Sequence, residues 1–162
     1  MKNEIKIYKV RLHNGDYVTT YNESLFNQKK EEGTEMTVLG IEVVTMSKIE
    51  DIVSVLTEEQ KQLLKDTIRY GSWGDADYDF LDENGNTETV SMLGYCTNDA
   101  KLAGNFSGRK VSAMFRSIYK KLCPNGIGRY ISHHSDWWGD GTGDMMFIRY
   151  GYYELFEIWA KQ

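Results

Sequence analysis

Apolar and polar residues alternate at the start of the chain. Ile5 and Ile7, then Val10 and Leu12, are spaced by polar side chains and lead into Asn14-Gly15, after which Tyr17 and Val18 resume the run. Period-two alternation broken by Asn-Gly predicts a β-hairpin, because a type I′ turn needs two residues that tolerate positive φ. A polar helical stretch, ESLFNQKKEEG, stops at Gly33, and MTVLGIEVVTM reads as a strand from its β-branched content. Residues 1–47 are thus expected to form a small ββαβ layer.

The period then lengthens. Ile49, Ile52, Val53 and Leu56 recur at helical spacing, and Thr57 with Gln60 forms a Thr-x-x-Gln capping box ahead of Leu63, Leu64 and Ile68, up to Gly71. DYDFLDENGNTETVSML predicts a second hairpin about Asn84-Gly85. Thr97 is positioned to cap a short helix closing at Gly104, and Ser107 to cap a longer one that runs to about Leu122 and is stopped by Pro124. IGRYISHHSD and DMMFIRYGYY predict two strands joined across WWGDGTG, and Tyr152, Leu155, Phe156 and Trp159 mark a final helix.

On the helix ending at Leu122, Val111, Met114, Phe115, Ile118 and Leu122 fall on one arc at 100° per residue, which must face the core. The opposite side carries Arg109, Ser112, Ala113, Arg116, Ser117 and Lys120. Charge is concentrated there. Residues 1–99 hold 10 basic and 19 acidic side chains, residues 100–130 hold seven basic and no acidic, and residues 131–162 hold two and five, giving the net −5. Such asymmetry marks a polyanion-facing patch, since a merely solvated face mixes signs.

The 162 residues are 41% hydrophobic, enough for one medium domain or a domain with a small appendage. No apolar run has transmembrane or signal-peptide length, so an intracellular, cytoplasmic protein is expected. Cys96 and Cys123 make no disulfide framework and read as small buried hydrophobes.

The order from residue 48 to 150 is helix, strand region, short helix, tight turn, basic helix and two-stranded hairpin. AKLAG places Ala100 four residues before the turn glycine Gly104. In these features the chain resembles the winged-helix and helix-turn-helix DNA-binding family. The resemblance implies an α+β fold in which residues 48–162 form a winged-helix-like domain, with Ser107–Leu122 as recognition helix and 137–143 as wing tip. It implies a non-enzymatic protein, such as a transcriptional regulator, binding duplex DNA. Lys101, Arg109, Lys110, Arg116, Lys120 and Lys121 would neutralise phosphates, with Arg109, Ser112, Arg116 and Ser117 nearest the bases. The C-terminal helix is a candidate homodimer contact.

A second expectation is a winged-helix scaffold turned to protein contact, as in an accessory protein of a mobile element, phage or replication system. The loop acids Asp136, Asp140 and Asp144 favour it, as do Trp137 and Trp138 if one is exposed as an anchor. The more economical assignment for this Trp pair clamps the hairpin to the last helix with Trp159.

Other chemistry fits poorly. Adjacent residues on a strand point to opposite faces, so His133 and His134 do not share a metal. In DADYDFLDENGN, Phe80 stands where a calcium loop needs Gly, and Asn86 where it needs Glu. Phosphate loops, nucleophile elbows and Cys/His zinc spacing are missing, so no cofactor, metal or catalytic residue is expected.

Overall fold

A computed structural model describes residues 3–13, 17–81, 84–106, 111–124, 130–141 and 143–162. The elements are β1 (Glu4–Leu12), β2 (Val18–Asn22), α1 (Glu23–Glu31), β3 (Met36–Thr45), α2 (Met46–Val53), α3 (Glu58–Tyr70), β4 (Ser72–Leu81), β5 (Thr87–Cys96), a 3-10 helix (Thr97–Ala103), α4 (Val111–Leu122), β6 (Ile131–His134), β7 (Met145–Arg149) and α5 (Tyr152–Ala160).

The fold is mixed α+β around a seven-stranded, mostly antiparallel sheet. β1 pairs β2 and β3 antiparallel, and the N-terminal ββαβ order is as the alternation predicts. Asn14, Gly15 and Asp16 lie outside the described residues; the flanking Leu12 amide donates to Tyr17 O at 2.7 Å. The N-terminal strands share the sheet with the rest of the chain, because β2 pairs β5 in parallel.

β4 and β5 form the second hairpin, paired from Ser72↔Tyr95 to Leu81↔Thr87. The β6–β7 hairpin expected as a wing is paired within itself, but β7 also joins β5, so it belongs to a sheet larger than a wing.

Helices α2 to α5 cover one face. Buried residues of α2, α3, α4 and α5 pack with Ile5, Ile7, Tyr95, Met146 and Ile148 into the main core. On α4, Val111, Phe115, Ile118 and Leu122 are buried and Met114 partly so, as the helical arc requires. The Thr57–Gln60 box is reciprocal, each side chain bonding the other's backbone amide. None of the residues of α5 is fully exposed, so packing against α2 and α3 uses most of its surface.

A smaller cluster of Val90, Met92, Cys96, Met145 and Phe147 forms a separate core, flanked by Tyr78 and Phe80. Cys96 and Cys123 are free and buried.

Gly104 closes the 3-10 helix at φ 83°, a backbone conformation that favours glycine. The turn is tied to α3, where buried Asp66 accepts from Asn105 Nδ2 at 2.9 Å. Thr97 does not cap this helix. Its hydroxyl donates to Asp144 O at 3.2 Å instead, so the side chain anchors the start of β7.

Candidate functional site

The predicted basic helix meets the hairpin at Asp144, which is 4% exposed. One carboxylate oxygen, Oδ2, accepts from Ser112 Oγ at 2.5 Å and His133 Nε2 at 2.9 Å. The other, Oδ1, accepts from the Asp136 amide at 2.9 Å. Asp144 therefore joins α4, β6 and the loop between β6 and β7 through one side chain. Burial acts to raise the carboxyl. The hydrogen bonds from Ser112, the Asp136 amide and His133, together with the His133 charge, outweigh it and hold Asp144 below its ordinary value.

These residue types invite comparison with a nucleophilic triad, but their order is wrong. A triad places His between the nucleophile and the acid. Here the Ser112 hydroxyl gives its proton to the same oxygen that His133 binds, so it faces no base. The side chains of His133 and Asp144 are each only 5% exposed. The cluster holds the structure together.

The two histidines face apart, as strand alternation requires. His133 lies against Phe115 and Tyr119 of α4, whereas His134 stacks on Tyr78 and meets Phe147 and Trp137. Burial lowers the His134 pKa, with a smaller contribution from the His133 charge.

The loop itself is tightly bonded. Asp136 adopts φ 49° and its Oδ1 accepts from the Gly141 amide at 2.7 Å; the Trp137 amide donates to Gly143 O at 3.0 Å. This leaves the tryptophans facing out. Trp137 is 40% exposed and leans on Phe147, while Trp138 is 42% exposed and meets Trp73 edge-on at 6.3 Å. The ring partners of Trp159 are instead Phe156 and the ammonium of Lys65, so the expected clamp on the last helix gives way to a patch facing solvent.

Trp73 is the residue that sequence reasoning missed. It sits at a register irregularity between Ser72 and Gly74, where an extra residue re-aims a side chain. From Trp73 to Leu81 every second residue is exposed, and Asp75, Asp77 and Asp79 share one face of β4, opposite the face on which Tyr78 and Phe80 pack. The period-two pattern of SWGDADYDFL carried that signal. The exposed carboxylates beside Trp137 and Trp138 are those of their own loop, Asp136 and Asp140.

The predicted nucleic-acid residues divide. Lys101, Arg116 and Lys120 are exposed. Lys121 Nζ donates to Gln60 Oε1 at 2.8 Å, and Ser117 Oγ accepts from Gln60 Nε2 at 3.2 Å, tying both to α3. Ser112 is engaged by Asp144. Arg109 and Lys110, with Ser107, lie outside the described residues. Among the described residues no group of three or more His, Cys, Asp or Glu is placed to hold a metal ion, and no helix is long and apolar enough to cross a membrane.

Comparison with family models, with curated proteins and with solved structures finds no match to this chain.

Proposed function

We propose that this chain is a non-enzymatic binding protein that docks a protein partner on the surface of Trp73, Trp137 and Trp138. The observation that supports it is the meeting of two half-exposed tryptophans, Trp73 and Trp138, from two distant parts of the chain, with half-exposed Trp137 next to Trp138 in the same loop. Monomer surfaces rarely keep large aromatics together in water unless they are used, and Trp is the residue most enriched among binding hot spots. The loop aspartates Asp136 and Asp140 select the partner. An apolar spot ringed by Lys or Arg complements this surface, and acidic partners are repelled.

A second reading keeps the winged-helix resemblance and places duplex DNA against α4. Exposed Arg116 and Lys120, which make no ion pair among the described residues, favour it. Against it stand the bonded states of Ser112 and Ser117 and the exposed acids of the hairpin loop, which would lie near phosphates.

The two readings separate by mutation. Affinity capture from a native extract is run with the wild type, with Trp73→Ala/Trp138→Ala and with Arg116→Ala/Lys120→Ala, and each captured protein is then purified and titrated alone. The protein-contact reading requires a purified partner whose binding fails only with the Trp variant. Loss only with the Arg/Lys variant, accompanied by nucleic acid in the eluate, would replace it with the DNA reading.

A further inference from the structure

Among the described residues, three strands of the sheet have a neighbouring strand on one side only: β3, β4 and β6. An edge strand offers its outer N–H and C=O groups to any second strand. Folded chains guard against this with short strands, charged side chains or proline. β6 is guarded by its length of four residues, and β4 by exposed Asp75, Asp77 and Asp79. β3 has ten residues, MTVLGIEVVT, without proline, lysine or arginine. Its one irregularity is the extra residue Leu39, and from Gly40 to Thr45 its register with β1 is regular.

The side chains it presents are apolar. Val38, Ile41 and Val43 pair with Val10, Tyr8 and Lys6 and so share their face, where Tyr8 stacks on Phe26 of α1. α1 lies over β1 and β2 rather than over β3. These three side chains and Leu39 are between 44% and 56% exposed. No other element of the described residues exposes as many large apolar side chains.

The one charge on the strand selects the occupant and the register. Glu42 accepts from Tyr152 OH at 2.6 Å and Lys48 Nζ at 3.5 Å, with Arg149 Nη1 at 3.7 Å. Its carboxylate is therefore turned to the helix side and matched by cations, and the edge offers a basic strand nothing. A neutral apolar strand fits, and β3 itself is one. An antiparallel strand pairs with its own copy about a two-fold axis, and residues of one face stand opposite each other, so the axis falls on a residue. An axis on Glu42 would oppose two carboxylates, which is destabilising. An axis on Ile41 sets Ile41 against its own copy, Val43 against Leu39, and Glu42 against Gly40, which has no side chain to clash. β1, β2 and β5 separate this edge from the carboxylates of β4.

We infer that β3 pairs antiparallel with β3 of a second copy about a two-fold axis at Ile41, joining two sheets into one. A single strand pair is at the small end of specific interfaces, so the dimer dissociates at about micromolar concentration.

Sedimentation velocity of the full chain from about 1 to 300 μM, a range spanning that dissociation, tests this. A reversible monomer–dimer equilibrium is expected. Ile41→Lys, which opposes two ammonium groups at the axis, should leave only monomer, with an unchanged melting temperature in dilute solution because the side chain is exposed. Trp73→Ala/Trp138→Ala should dimerise like the wild type. Cys96 and Cys123 are buried, so under mild oxidation Ile41→Cys should form a covalent dimer much faster than Val55→Cys, a similarly exposed position outside the sheet. Should Ile41→Lys fail to fold, this crosslinking carries the comparison. Monomer alone at the highest concentration, a dimer that survives Ile41→Lys or is lost with the Trp variant, or equal crosslinking at the two positions would each overturn the assignment.

Discussion

Trp73 and Trp138 meet edge-on with ring centroids 6.3 Å apart, one at the irregular start of β4 and the other in the loop before β7. The contact is favourable on its own, since perpendicular aromatic pairs contribute about 0.5–1.5 kcal/mol beyond their buried area. It still leaves both rings half in water, with apolar surface available to a partner.

Replacing these rings should separate binding from folding. Trp138→Ala and Trp73→Ala are each expected to lower stability by about 1–3 kcal/mol, the value of the pair plus that of the ring area each buries. Each should weaken partner binding by about 2 kcal/mol or more, near thirtyfold, as central aromatic anchors do. Urea melts and binding titrations on the same preparations give both numbers. Equal losses in the two would mark the tryptophans as structural.

Asp144 should make stability depend on acid. Its folded pKa lies below the ordinary 3.8, so its contribution is complete above that value and is lost as pH falls through the folded pKa. Asp144→Asn should flatten this part of the stability profile and cost about 2–4 kcal/mol near neutrality, because it weakens charge-assisted bonds in a buried site. Ser112→Ala, which removes one such bond, should cost about 1–2 kcal/mol. Urea unfolding from pH 2 to pH 7 reads all three, with these pH limits chosen to span the carboxylate range.

His134 contributes at higher pH and with the same sign. Burial lowers its folded pKa, so the neutral ring is favoured and stability is complete above the ordinary 6.5. The contribution is lost as pH falls through the folded value, because the unfolded chain takes up the proton more readily. Trp137 stands 5.4 Å from this ring and reports on it. Trp emission should change through the same window, and His134→Phe should abolish both the emission change and that step in stability.

Two glycines should respond very differently to a methyl group. Gly151, at φ 94°, links β7 to α5, and a Cβ there would lie 2.5 Å from Ile7 Cγ1. Strain and overlap add, so Gly151→Ala should cost about 2–4 kcal/mol. Gly104, at φ 83°, has nothing within 4 Å of where a Cβ would stand, so Gly104→Ala should cost only about 1–2 kcal/mol from backbone conformation. Paired thermal melts decide whether close approach or φ governs each position.

The local elements were legible because their signals are local. The Thr57–Gln60 box, the Asn84-Gly85 hairpin, the α4 apolar arc and the Gly104 turn each depend on residues a few places apart. The sheet was not legible, because the pairing of β2 with β5 and of β7 with β5 joins segments that no short pattern connects. The same limit explains the site. Helical periodicity places Ser112 and Ser117 on the outward arc, but Asp144 and Gln60 reach them from other elements. Thr97 has the right type and place for a cap, and a carbonyl distant in sequence takes its hydroxyl. Trp73 followed a readable alternation, yet its meeting with Trp138 required the fold.

The most direct test of the contact surface is site-specific photocrosslinking in cells, with a benzophenone amino acid replacing Trp138 in one variant and Lys120 in another. The account predicts a discrete protein adduct from position 138, absent from position 120 and lost when Trp73→Ala is added. Protein or nucleic-acid adducts formed at position 120 alone, with position 138 silent, would contradict it.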